Sequence, residues 1–154
     1  MDQSTGTILL IEDSEDDVFI FQRAARQARL SNRVHVANDA EAAMAYLEGG
    51  GEFADRSAHP LPFLAFLDLK LPRISGLELL DWIRAQRDLD AISVVALTSS
   101  AEERDVLEAY KRGARSYIVK PPTAESISAI LHALRLSAGT ALQRLYVPGE
   151  TTIR

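Results

Sequence analysis

Apolar positions along this chain follow two rhythms. In "TILLI" (7–11), "FLAFL" (63–67) and "ISVVAL" (92–97) they run almost without a break. Short runs of this kind predict strands covered on both faces. "RVHVAN" (33–38) alternates instead, which predicts a strand nearer a sheet edge, and "SYIVK" (116–120) reads as a further short strand. Between these runs the apolar residues recur at three and four. In "SEDDVFIFQRAARQARL" (14–30), Val18, Phe21, Ala25 and Ala28 mark one helical face, and Ser14 to Asp17 place oxygen caps and acids at the helix start. "DAEAAMAYLEGG" (39–50) reads as a capped helix ended by glycine. "SGLELLDWIRAQR" (75–87), "SAEERDVLEAYKRG" (100–113) with Gly113 at its end, and "TAESISAILHALRLS" (123–137) capped by Thr123 complete the helices. "GGEFADRSAHPLP" (50–62) is a loop longer than the usual helix-to-strand connection.

Strand and helix thus alternate five times, which predicts an α/β domain with a doubly wound parallel sheet and five helices on its two faces. We assign residues 1–137 to this domain and 138–154 to a C-terminal extension, with no separate output domain. The extension carries Leu142, Leu145, Tyr146 and Val147, apolar residues expected to pack on something. The absence of cysteine excludes a disulfide scaffold, a cysteine zinc site and a thiol nucleophile. The start, "MDQSTGTILLIED", lacks the basic and long apolar regions of a signal peptide, and no stretch reaches the ~18 apolar residues of a membrane span. The expectation is a cytoplasmic protein that engages no membrane. A net charge of −5 without a clustered Lys/Arg stripe disfavours nucleic acid as a partner.

The chemistry collects at the strand ends. Glu12 and Asp13 end the first strand, Asp68 the third, Thr98 and Ser99 the fourth, Lys120 the fifth. Open parallel sheets bind ligands outside the carboxyl ends of their strands, at the topological switch point. In the common strand order 2-1-3-4-5 that point lies between strands 1 and 3, where Glu12, Asp13 and Asp68 would converge. Three carboxylates in one place repel unless a cation intervenes. Mg²⁺ suits them, because it takes oxygen ligands and keeps waters that yield to phosphate oxygens. Lys120 adds a second positive charge and Thr98 a hydroxyl. A carboxylate nucleophile with a metal and an ammonium is equipped for phosphoryl transfer, giving an aspartyl-phosphate on Asp68.

The segments "LLIEDSEDD", "FLDLKLPRISG", "VVALTSS" and "SYIVKPP" resemble the four characteristic segments of response-regulator receiver domains, over residues 7 to about 137. The resemblance implies a flavodoxin-like fold with strand order 2-1-3-4-5. It implies Asp68 as the phosphorylated residue, Glu12 and Asp13 as metal-site acids, and the Lys70 backbone carbonyl as a further metal ligand. Thr98 would be the switch hydroxyl, Lys120 the phosphate-binding lysine and Tyr117 the switch aromatic, with Pro121 following a cis bond. More narrowly, the long loop at 50–62, the "EDSEDDVFIFQRA" helix and the lack of an output domain resemble stand-alone regulators that serve phytochrome-type histidine kinases. Two positions depart from the commonest pattern: Glu12 stands where Asp is usual, and Lys70 where Asn or Met is common.

Blander readings compete. An isolated strand-end Asp more often caps a turn; Asp13, Thr98 and Lys120 at three other strand ends favour the acceptor reading of Asp68. Asp16 and Asp17 read as helix-start acids with no metal role. His35, His59 and His132 share no ligand spacing and read as surface or packing residues. An aspartate-nucleophile phosphatase would want an acid where Lys70 stands, and a flavodoxin-like cofactor binder would want a phosphate loop where "EDSEDD" stands. A phosphorylation-independent adaptor would not need the intact acidic site. The expected protein is therefore a signalling switch rather than a metabolic enzyme. Its partners would be a sensor histidine kinase and, for output, a contact partner or a histidine phosphotransfer protein. A symmetric homodimer through the fourth helix, fifth strand and fifth helix, edged by the apolar extension, is the expected assembly.

Overall fold

The computed structural model describes residues 6–99 and 103–136. The apolar extension at 142–147, and the dimer contact assigned to it, lie outside the described residues.

The elements follow in the order β1 (Thr7–Ile11), α1 (Glu15–Gln27), β2 (Val34–Ala37), α2 (Ala40–Glu48), β3 (Pro62–Asp68), α3 (Gly76–Ala85), β4 (Ser93–Thr98), α4 (Glu103–Lys111), β5 (Ser116–Val119) and α5 (Ala124–Leu136). The strands form one parallel sheet in the order β2-β1-β3-β4-β5. This is the doubly wound arrangement expected from the alternation, with β2 at an edge.

Strand side chains alternate between two cores. Leu9, Ile11, Ala65, Leu67, Val94, Ala96 and Tyr117 face the side covered by α2, α3 and α4. Ile8, Leu10, Leu64, Phe66, Val95, Leu97 and Ile118 face α1 and α5. Every residue of β1 and β4 is buried, which explains their unbroken apolar runs.

Two helix ends differ in detail from the expected spans. The first helix stops at Gln27 rather than running to Leu30, because Arg29 turns left-handed (φ 56°). Leu30 N–H then returns to the Ala25 carbonyl at 3.0 Å and Arg29 N–H to that of Arg26 at 3.0 Å, closing the helix in a Schellman motif without glycine. The third helix stops at Ala85, and Arg87–Leu89 forms a separate 3₁₀ turn. The second helix ends as expected on Gly49, left-handed at φ 73°.

The long loop after α2 is ordered by its own side chains. It holds a 3₁₀ turn at Gly51–Phe53. Arg56 donates to the carbonyls of Tyr46, Leu47 and His59 at 2.8, 2.7 and 3.0 Å, capping α2 from the loop. The Tyr46 hydroxyl donates to the Pro60 carbonyl at 2.7 Å. His35 stacks on Tyr46 with ring centres 4.2 Å apart, so this histidine is a packing residue.

Candidate functional site

Strand register brings the acids together. Ile11 of β1 pairs with Leu67 of β3, so the next residues, Glu12 and Asp68, emerge side by side at the carboxyl ends. Both are buried. Asp13, one residue further, is exposed, and carboxylate oxygens of Glu12, Asp13 and Asp68 lie within 4.8 Å of one another. The backbone after each strand holds these groups still: Ser14 N–H donates to Glu12 Oε2 at 3.2 Å, and Lys70 N–H to Asp68 Oδ1 at 3.0 Å.

Lys120 follows β5 and reaches back across the strand ends. Its backbone N–H donates to the Thr98 carbonyl at 2.7 Å, and its bond to Pro121 is cis. Its ammonium lies 2.8 Å from Glu12 Oε1, 2.9 Å from Asp17 Oδ2 and 3.2 Å from Asp68 Oδ2. Burial opposes that charge, but Glu12, Asp17 and Asp68 outweigh it and hold the lysine pKa above its ordinary value. Glu12 is pushed the other way. Burial raises its pKa to about 7, with the Asp68 carboxylate adding to the rise and the Lys120 ammonium opposing it.

These residues fit a hard divalent cation. The donors are all oxygen, as Mg²⁺ or Mn²⁺ prefers. Glu12 Oε1 meets Lys120 as a charge contact without hydrogen-bond alignment, so this buried oxygen retains capacity for a further cation. A cation held by Glu12 would need that carboxylate ionised, so binding it below about pH 7 would expel a proton. We expect divalent-metal affinity to fall by roughly tenfold per pH unit below about 7, a slope that calorimetric titration at pH 5.5 to 8 measures.

Thr98 is the last residue of β4 and is buried. Tyr117 is buried in β5 on the α4 side and meets the Tyr110 ring edge-on at 6.3 Å. The Lys70 residue is exposed. Gly76, at the start of α3, explains the glycine eight residues after Asp68. A Cβ there would lie 2.6 Å from Leu69 Cα and closer still to the Asp68 carbonyl oxygen. Backbone on both sides leaves nothing to give way. Gly76→Ala should cost about 1–3 kcal/mol or more in chemical denaturation and weaken metal binding by shifting Asp68.

Asp17 stands outside the three-carboxylate group, as expected, but sequence reasoning missed its contact with Lys120. It stands in the first turn of α1, as expected for a helix-start acid, but its carboxylate grips Lys120. The available signal was its place in the first turn of the helix that leaves the end of β1 just after Glu12 and Asp13.

Comparison with known proteins agrees with this geometry. Residues 8–132 match the model of the response regulator receiver domain. This chain belongs to that family. The receiver is 37% identical over 113 residues to "Response regulator Rcp1" of Synechocystis, covering 73% of this chain and 75% of Rcp1. It is 34% identical over 131 residues to the "Probable methanogenesis regulatory protein FilR2" of Methanothrix harundinacea, covering 83% and 80%. The solved "Bacteriophytochrome response regulator RtBRR" superposes with a TM-score of 0.73 at 37% identity, covering 94% of this chain and 84% of that one. Rcp1 has also been solved in a Mn²⁺-bound form, with a TM-score of 0.68 at 30% identity, covering 94% and 99%. Receivers of two-component systems take a phosphoryl group on aspartate, bind a divalent metal and work with a sensor histidine kinase. Among the described residues no helix is long and apolar enough to cross a membrane.

Proposed function

We propose that this receiver accepts a phosphoryl group on Asp68 from the phosphohistidine of a sensor kinase. The observation that carries this reading is the position of Lys120, whose ammonium touches both Glu12 and Asp68 beside a three-carboxylate cluster at the β1/β3 switch point. An Asp68 oxygen attacks phosphorus, the P–N bond breaks, and the departing imidazole takes up a proton. Lys120 stabilises charge on the phosphoryl oxygens, and Lys70 N–H orients the attacking carboxylate. Glu12, Asp13, Asp68 and the Lys70 carbonyl would hold Mg²⁺, which neutralises phosphoryl charge when bound. Thr98 and Tyr117 read the new charge and alter the face of α4, β5 and α5, toward a contact partner or a histidine phosphotransfer protein.

The kinase we favour is of the phytochrome type. The support is the likeness to RtBRR and Rcp1 together with the ordered long loop. Incubation with acetyl phosphate and Mg²⁺ tests the chemistry; one hydroxylamine-labile phosphoryl group per chain is expected, and none would sink the reading. Transfer from a phosphorylated phytochrome kinase, faster than from unrelated kinases, tests the partner.

The donor must approach over α1. Phe19 (58% exposed) and Ile20 (37%) are the exposed large hydrophobics among the described residues. Ile20 joins Pro121 and Pro122 in a cleft of about 390 Å³ that reaches Glu12, Asp17 and Lys120. Apolar surface beside a phosphate acceptor marks a docking site. Phe19→Ala should slow transfer from the cognate kinase by about tenfold, an anchor loss of ~1.4 kcal/mol. Labelling by acetyl phosphate should not change, and equal slowing with both donors would place Phe19 in the fold rather than the interface.

A further inference from the structure

Lys120 has three N–H donors, and three acidic residues already surround it, with Glu12, Asp17 and Asp68 oxygens at 2.8, 2.9 and 3.2 Å. A phosphoryl group on Asp68 brings further acceptor oxygens and added negative charge. Phosphorylated Asp68 no longer carries a carboxylate charge, so its contact with the lysine passes to the phosphoryl oxygens, and any further phosphoryl contact draws the lysine from Glu12 or Asp17. These two acids differ in how easily they can be released. The Glu12 side chain is 2% exposed, so losing the ammonium would leave its charge buried and uncompensated. Asp17 is 36% exposed, and water can take the place of the lysine at small cost.

We infer that Asp17 is a positioning residue, a releasable counter-ion on α1 that holds Lys120 in the resting receiver and yields it to the phosphoryl group. This rests on the acceptor reading of Asp68. The role has two consequences of opposite sign. In the resting state Asp17 offsets the lysine charge, so the neighbouring carboxylates bind a divalent cation more tightly. In the phosphorylated state it competes with the phosphoryl oxygens for the same ammonium.

The test compares Asp17→Asn and Asp17→Glu with Asp16→Asn, which removes an acid from the same helical turn that forms no ion pair with the lysine. Calorimetry gives the affinity for Mg²⁺ alone, and fluorine resonance gives the affinity for beryllofluoride, a phosphoryl mimic, at saturating Mg²⁺. For Asp17→Asn the expected result is Mg²⁺ binding weakened about threefold to tenfold and beryllofluoride binding strengthened by a similar factor, the size of one partly screened charge a few ångströms away. Asp17→Glu, which keeps the charge, should lie close to wild type in both. A helix-start acid acting through the dipole alone would move Asp16→Asn and Asp17→Asn together, and that outcome overturns the inference while leaving the acceptor reading intact. Wild-type protein that binds no beryllofluoride, or binding that survives in Asp68→Asn, overturns the acceptor reading and the inference with it.

Discussion

Asp68→Asn protein should take up no phosphoryl group from acetyl phosphate or kinase, and in metal-free buffer it should be more stable than wild type. Both results come from one carboxylate. The amide oxygen of Asn is too weak a nucleophile to displace phosphate, and no other described carboxylate shares the position of Asp68 between Lys70 N–H and the Lys120 ammonium. Stability moves the other way because Asp68 is one of the groups that push the Glu12 pKa up to about 7. Removing that repulsion relieves strain that wild type bears whenever both acids are ionised. The gain expected is on the order of 1 kcal/mol near neutral pH, and it should vanish when the metal is supplied, since the metal relieves the same repulsion in wild type. Denaturant unfolding with and without Mg²⁺ measures it. Label that persists in the variant would place the acceptor elsewhere, and equal stability would show that the acids are already compensated.

Lys120→Ala should have the largest effect on stability. Its ammonium compensates two buried acids, and deleting one partner of such a cluster typically costs ~3–5 kcal/mol. Glu12 limits the loss by taking a proton, so we expect about 3 kcal/mol near neutral pH. The sign with pH follows. In the variant Glu12 holds its proton more firmly than the unfolded chain does, so the variant is favoured in acid and loses stability as pH rises above the ordinary carboxylate range. Mg²⁺ should restore part of the loss. The same substitution should permit some phosphorylation by acetyl phosphate while blocking its transmission, because Lys120 also joins the phosphate site to the end of β4 through its N–H to Thr98. A variant that unfolds like wild type and signals like wild type would contradict both roles.

What could be read from the sequence and what could not divide along physical lines. β1, β3 and β4 lie inside the sheet and are apolar on both faces, so their runs stand out against everything around them. The convergence of Glu12 and Asp68 followed from the strand order alone. The end of α1 did not show, because a left-handed Arg29 does work usually done by glycine and nothing in its side chain announces it. The ordering of the long loop was equally hidden: nothing in its sequence shows that Arg56 ties three carbonyls. Asp17 escaped for a related reason. An acid in a first helical turn already has an explanation in the helix dipole, and only the reach of Lys120, more than a hundred residues away, reveals the second one.

The sheet of this receiver also partitions its evolutionary freedom. Glu12 and Asp68 continue the alternation that faces α1 and α5, whereas Tyr117 is buried on the opposite side against α4. On the proposed reading, residues of α1 that meet a donor and residues of α4 that address a target therefore grow from opposite sides of a barrier five strands wide, with α5 on the donor's side. A lineage can exchange one set for a new kinase without disturbing the other, provided the few groups threaded through the strand ends keep their places. Duplicated copies of such a protein can diverge in input and output one at a time, each step passing through a working intermediate.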